Sequence, residues 1–231
     1  MLALAESLWT GDSTPLAAII GPSGQILHSA AQGDLDVILT HAPALETKLL
    51  ASLTGLVRCP FVTSRFAIVG PPDDPAQVRT ATSASEAMRR IAGRGARFVS
   101  RGDSSGTHER ELAIWRAAAI EPQGRPWYIE SGSDQTTTLR IADERGGYAL
   151  ADLPTFGRIP GIGLRRWFDA DSILINRYTL YLIPVKPEHP AARRFLAWAL
   201  DTWRRRVLAL RLPAPDSAAA FEPAIGDCAT S

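Results

Sequence analysis

Apolar positions along the chain alternate between two rhythms. Leu2, Leu4, Ala5 and Leu8 recur at helical spacing, and Gly11 with Asp12 break the pattern. Leu16 to Ile20 is a short continuous apolar run and reads as a buried strand. The turn Gly21-Pro22-Ser23-Gly24 then opens a helix from about Gln25 to Ala31. Asp36 to Thr40 is a second strand, and Pro43 starts the next helix at its first turn, where a missing N–H costs nothing. Phe66 to Val69 is a strand halted by Gly70-Pro71-Pro72-Asp73-Asp74-Pro75. Helices follow over Ser83–Ala92, Ser105–Ile120 (with Leu112, Trp115 and Ala119 on its apolar face) and Thr136–Asp143. Strands are expected at Arg97–Val99, Trp127–Glu130, Tyr148–Leu150 and Tyr178–Val185. Pro190 to Leu210 reads as a long helix striped by Phe195, Ala199, Trp203, Val207 and Leu210, and the tail after Pro213 as weakly structured. Strands alternating with helices imply an α/β fold with mainly parallel sheet.

Composition narrows the function classes. The chain has 231 residues and a formal net charge of +1, so nothing global calls for nucleic acid or an acidic membrane surface. No run of about 18 apolar residues is present. Met1 to Trp9 has no basic region, long apolar core or cleavage site, and does not read as a signal peptide. The two cysteines, Cys59 and Cys228, are expected to be incidental rather than paired, and no Cys/His cluster has zinc spacing.

The chemistry concentrates in Phe98-Val99-Ser100-Arg101-Gly102-Asp103-Ser104-Ser105-Gly106-Thr107-His108. A strand ends at Ser100 and a helix begins near Ser105. The helix N-terminus leaves amides unpaired and carries partial positive charge. Gly102 and Gly106 allow close backbone approach, Arg101 offers a planar fork of donors, and Ser105 and Thr107 add hydroxyls. The set is a cradle of donors with no nucleophile–base pair. An ordinary cap at Asp103 or Ser104, with Arg101 paired to a surface carboxylate, explains the same residues. Gly21 to Gln25 repeats the pattern more weakly, with Ser23 as donor. Gly132 to Leu139 opens a further helix with Thr136, Thr137 and Thr138, where capping comes ahead of anion contact.

Phe66 to Ala76, the Ser-Arg-Gly-Asp-Ser-Ser-Gly-Thr-His run, Trp127 to Glu130, Thr138 to Tyr148 and His189-Pro190 together resemble the tungstate/molybdate-binding proteins of ABC importers, over about Leu2 to Pro223. The resemblance implies a class II periplasmic-binding-protein-like α/β fold. Its two lobes would be 1–68 with 178–231, and 69–177, hinged at crossover strands. It implies capture of a tetrahedral oxyanion by Ser23, Arg101, Ser105, Gly106 and Thr107, with Asp103 orienting Arg101 or capping the helix and Thr137 and Thr138 as secondary contacts. It further implies no cofactor beyond the tungstate or molybdate ligand, an ABC permease as partner, a monomer, and a periplasmic or lipid-anchored extracellular location. Three departures stand out. The family's first strand and its Thr-Thr-Thr-Ser-type loop are missing ahead of Leu2. The signal peptide is missing with them. Arg177 stands where the family has proline.

Two other readings remain open: a phosphate or sulfate binder, and an intracellular oxyanion sensor or the ligand-binding part of a regulator. An enzyme is disfavoured. His108-Glu109 lacks the second histidine of a zinc-protease helix, no Gly-x-Ser-x-Gly elbow occurs, and His28, His41 and His189 have no obvious nucleophile.

Overall fold

The computed structural model describes residues 2–9, 15–185, 187–212 and 218–230; the expected break at Gly11 and Asp12, and the start of the tail at Pro213, lie outside them. In chain order the main elements are α1 (Leu2–Leu8), α2 (Ser23–Gln32), β1 (Val37–Thr40), α3 (Pro43–Leu50) and β2 (Val57–Gly70). Then come α4 (Ala84–Gly93), β3 (Phe98–Ser100), α5 (Gly106–Ala117), β4 (Tyr128–Glu130), α6 (Gln135–Glu144), β5 (Ala149–Asp152), α7 (Leu153–Phe156), β6 (Arg165–Phe168) and β7 (Ile175–Leu182). The last helical stretch is α8 (Ala192–Trp198), a π-type turn over Ala199–Trp203 and α9 (Arg204–Leu208); β8 (Glu222–Pro223) and β9 (Ala229–Thr230) follow.

The chain divides into two compact units. Unit 1 is Met1–Thr63, Arg177–Arg211 and Ser217–Ser231, and unit 2 is Ser64–Asn176 with Leu212–Asp216. The chain passes from one to the other inside β2 and returns after Asn176.

In unit 2 the period of two along β2 sorts its side chains. Phe66 and Ile68 enter one core with Met88, Ile91, Phe98, Ile114 and Trp115, from α4, β3 and α5. Ala67 and Val69 enter the other with Leu139, Ala142 and Leu153, from α6 and α7. At Gly70 a Cβ would lie 2.3 Å from the Tyr148 ring, so only glycine fits there. In unit 1, α2 and α3 bury Leu27, Ala30 and Leu50 against Ile38, Tyr181 and Ile183.

Several sequence expectations are corrected. β1 with β7, and β2 with β5, β6, β8 and β9, pair antiparallel, and the pair β3–β4 is parallel. The sheet is therefore not mainly parallel. β2 runs for 14 residues, and its first half was hidden by Arg58, Pro60, Thr63, Ser64 and Arg65 interrupting the apolar pattern. The tail is not wholly unstructured, because β8 and β9 both pair with β2. Leu16 to Ile20 forms no strand; Ile19 and Ile20 are 67% and 83% exposed. An apolar run yields a strand only when a ladder partner is available, and among the described residues β1 is paired by β7 alone. Leu16 to Ile20 instead borders an apolar cavity of about 520 Å³ within unit 1, floored by Leu180, Phe195 and Trp203. Cys59 and Cys228 are not incidental: they form a disulfide across 169 residues of sequence within unit 1. Arg177 is exposed to solvent.

Candidate functional site

The site is built where β3 ends. Phe98 to Ser100 are buried between the two cores of unit 2, and β3 lies in parallel register with β4, Ser100 opposite Glu130. The chain then turns sharply. Gly102 adopts φ +59°, and a Cβ on it would stand 3.0 Å from the Glu130 side chain. Ser104 also takes a positive φ, +57°. Two left-handed residues in a short loop bring the chain back on itself and into α5.

The cap of α5 is Ser105, one residue later than the sequence suggested, and its Oγ accepts from the His108 amide at 3.3 Å. α5 therefore starts at Gly106, whose amide and that of Thr107 have no partner four residues back. Gly106 and Thr107 are buried. Arg101 pairs with Asp103 Oδ2, and only 16% and 17% of the two side chains are exposed. Asp103 Oδ1 accepts from the Ser105 amide at 3.1 Å, so both carboxylate oxygens are engaged. Burial raises the Asp103 carboxyl most, but the Ser105 hydroxyl and amide and the Arg101 charge together hold it below its ordinary value. The Arg101 Nε is buried and meets no acceptor.

His108 folds back under the loop, where its Nδ1 accepts from the Ser104 amide at 3.1 Å. The proton of the neutral ring is thus assigned to Nε2, which is buried with no partner. Desolvation is the main cause of a lowered His108 pKa, with the Asp103 and Glu130 charges acting the other way.

The other expected residues are placed differently. Thr138 is fully buried and its hydroxyl is spent on the Asp134 carbonyl at 2.8 Å and on Ser131 Oγ at 2.7 Å. Thr137 gives its amide to Asp134 Oδ1 at 2.9 Å and is otherwise exposed. Both serve the cap of α6. Ser131 Oγ in turn lies 3.3 Å from the Arg101 carbonyl, so α6 braces the loop indirectly. Ser23 belongs to unit 1, the rest to unit 2. It is the first residue of α2, whose cap position is Pro22 with no side-chain cap bond.

Glu111 was not anticipated. The expected apolar face of α5, Leu112, Trp115 and Ala119, is rotated: the buried residues are Glu111, Ile114, Trp115 and Ala118. Glu111 is 1% exposed. Its Oε1 accepts from the Tyr128 hydroxyl at 2.7 Å and the Trp115 indole at 3.2 Å. The nearby Ser100 hydroxyl and Arg101 amide also favour its charged form. Burial pushes its carboxyl up to about 7 against the pull of those donors. The one sequence signal was its i, i+4 spacing to Trp115. No group of three or more His, Cys, Asp or Glu able to hold a metal ion occurs among the described residues. No helix there is long and apolar enough to cross a membrane.

Residues 12–202 match the PBP superfamily domain. The chain is 33% identical over 188 residues to the tungstate-binding protein TupA of Peptoclostridium acidaminophilum, a match covering 78% of this chain and 65% of that protein. The curated relatives it matches are longer, and it spans 39% to 68% of their length. Among solved structures, the tungstate ABC transporter from Geobacter sulfurreducens is 32% identical with a TM-score of 0.76, covering 89% of each chain. The TupA tungstate-binding protein from Desulfovibrio alaskensis G20 is 28% identical with a TM-score of 0.76, covering 97% of this chain and 92% of that one. The chain belongs to the PBP superfamily and, within it, to the family of tungstate ABC transporter substrate-binding proteins.

Proposed function

We propose that this protein captures a fully ionised tetrahedral oxyanion, tungstate or molybdate, at the Arg101–Thr107 turn and delivers it to an ABC importer. The observation that carries the reading is a turn of donors with its acceptors already used. The first amides of α5, the hydroxyls of Ser105 and Thr107 and the unmet Nε of Arg101 stand together, and the one carboxylate among them, Asp103, has both oxygens engaged. A dianion needs only donors. A phosphate that keeps a proton also needs an acceptor, and both oxygens of Asp103 already accept, from Arg101 and from the Ser105 amide. Membership of a family whose relatives are tungstate-binding proteins supports the same ligand.

The partner is a membrane permease, and the protein works outside the cytoplasm as a monomer. The Cys59–Cys228 disulfide favours that location, because such bonds persist in oxidising compartments and are rare in the cytosol. No enzymatic step and no resident cofactor is proposed.

Calorimetry and thermal unfolding with tungstate, molybdate, sulfate and phosphate in turn test this. A ligand that binds only the native state stabilises it by about 2.7 kcal/mol at a hundredfold excess over Kd. Tungstate or molybdate should give such a shift, phosphate should not, and Arg101→Ala should weaken binding about 100-fold. No shift with either metal oxyanion, or a phosphate response as strong as theirs, would sink the reading.

A further inference from the structure

Two stretches of free backbone line one cavity in unit 1. β1 spends one edge on β7: the Ile183 amide donates to the Asp36 carbonyl at 2.9 Å, and the register sets Val37 opposite Leu182 and Leu39 opposite Leu180. In an antiparallel pair that phase gives the backbone groups of residues 36, 38 and 40 to β7. Those of Val37 and Leu39 turn to the other edge. Among the described residues no strand pairs that edge. Val37-Ile38-Leu39-Thr40 holds no charged residue or proline of the kind that shields an edge strand. Leu16 to Ile20 make no backbone hydrogen bond among the described residues. Both stretches line the apolar cavity of about 520 Å³ floored by Leu180, Phe195 and Trp203. Ile19 and Ile20 are bare to solvent, and Val37 and Leu39 are only half-buried.

We propose that this cavity is the socket for an extended apolar strand of the same polypeptide, joined ahead of α1. Backbone chemistry selects a strand over a small apolar molecule. Val37 and Leu39 present N–H and C=O groups to the open edge, and another extended backbone repeats donors and acceptors at their spacing. A strand there is flanked on both sides, so its sequence is a continuous apolar run without proline. With it in place, Leu16 to Ile20 gain the ladder that their composition suits. The ends of the chain indicate the source. Trp9, which follows α1, lines the cavity, whereas β8 and β9 at the far end pair with β2, on the other side of β7 from β1. Length agrees: the chain spans 39% to 68% of the curated relatives it matches, so longer members of the family have chain to supply. The inference is independent of the oxyanion reading, whose turn lies in unit 2.

The experiment uses the full, disulfide-intact chain and a synthetic apolar strand, Lys-Val-Val-Ile-Val-Ala-Lys. The strand is added as a free, end-capped peptide or fused ahead of Met1 through a Gly/Ser linker. Amide hydrogen exchange is read at Val37, Leu39 and Leu16 to Ile20, with Ile38, which the register bonds to β7, as internal reference. Both forms should slow Val37 and Leu39, and alternate amides of Leu16 to Ile20, at least about tenfold relative to Ile38. The fused form should do so at every protein concentration, because its strand is held close by the linker. A free peptide N-methylated at alternate residues keeps the apolar bulk but loses the donors of one edge, and should bind at least about tenfold more weakly. Equal binding by the methylated peptide would mark a plain apolar pocket and overturn the proposal. Failure of both forms to protect Val37 and Leu39 would overturn it as well. Protection that appears in the unfused chain as its own concentration rises would assign the socket to a second copy, and would overturn it too.

Discussion

The two units open helices from similar sequence signals and finish them differently. In unit 1, Gly21-Pro22-Ser23-Gly24 leads into α2 with a proline at the cap and no side-chain cap bond. In unit 2, Arg101 to Thr107 leads into α5 through a capping serine, a buried arginine–carboxylate pair and a histidine folded beneath the loop. Each unit also buries a glutamate that accepts from a tyrosine. Glu46 of α3 takes the Tyr181 hydroxyl at 2.8 Å, and its remaining bond, from the Ala42 amide at 3.0 Å, closes the start of its own helix. Glu111 takes the Tyr128 hydroxyl at 2.7 Å and the Trp115 indole at 3.2 Å, which ties α5 to β4. The same residue pair therefore closes a helix start in one unit and ties a helix to a strand in the other. What separates the candidate site from the rest is the wired start of α5, with its capping serine and buried Arg101–Asp103 pair.

The largest expected difference between the units is covalent. Both cysteines lie in unit 1, and their bond closes a loop of 169 residues. Constraining an unfolded loop of that size contributes about 3–5 kcal/mol in the chain-entropy picture. Replacing Cys59 and Cys228 by serine should lower the denaturation midpoint accordingly. Hydrogen exchange should show the loss first in β1, β7 and the N-terminal half of β2, with β3, α5 and α6 keeping more protection. Uniform loss across both units would break the comparison, since it would mean that they unfold as one.

The buried glutamates give the next effect. The folded pKa of Glu111 is raised from 4.5 to about 7, so the native state holds its proton more tightly than the unfolded chain. Between those values the unfolded state has lost the proton and the native state has not, so stability falls as pH rises. At about 1.36 kcal/mol per unit the decline is about 3 kcal/mol, fully expressed above the folded value. Denaturant titrations of Glu111→Gln should lack that decline, and the difference from wild type should grow between about pH 4.5 and about pH 7. Glu46 is raised too, chiefly by burial, so Glu46→Gln should change stability in the same direction over its own window. It should leave tungstate affinity unaltered, because its bonds stay within unit 1.

Much of this architecture was legible in residue order. The alternation of periods two and 3.6 placed α2, β1, α3, α4, β3, β4, α6 and the helical stretch from α8 to α9 to within a few residues, and the strand–glycine–serine junction located the turn at Arg101. What stayed hidden depended on distant partners. Cys59 and Cys228 could not be paired from 169 residues apart. The antiparallel neighbours of β2 arrive from the chain's middle and its end. Leu16 to Ile20 had a strand's composition but no ladder to join. Glu111 was hidden for a different reason. A charged residue among apolar ones on a helix reads as a solvated position, and donors from β4 and from a later turn of α5 itself had to be assembled around it before burial became tolerable.

The smallest effect discriminates the two helix starts most directly. Ser105 Oγ accepts from the His108 amide, so Ser105→Ala removes a true cap and should cost about 1 kcal/mol of stability, read as a shift in the denaturation midpoint without a change in slope. Ser23 makes no cap bond, because the cap position is Pro22. Ser23→Ala should therefore leave stability within about 0.5 kcal/mol of wild type. If Ser23 nevertheless donates to the anion, its loss appears only in affinity, as a several-fold rise in the tungstate Kd with an unchanged midpoint. Ser105→Ala should lower both. Equal stability losses at the two serines would mean that α2 is capped through Ser23 after all, and the contrast between an open helix start and a wired one would fall.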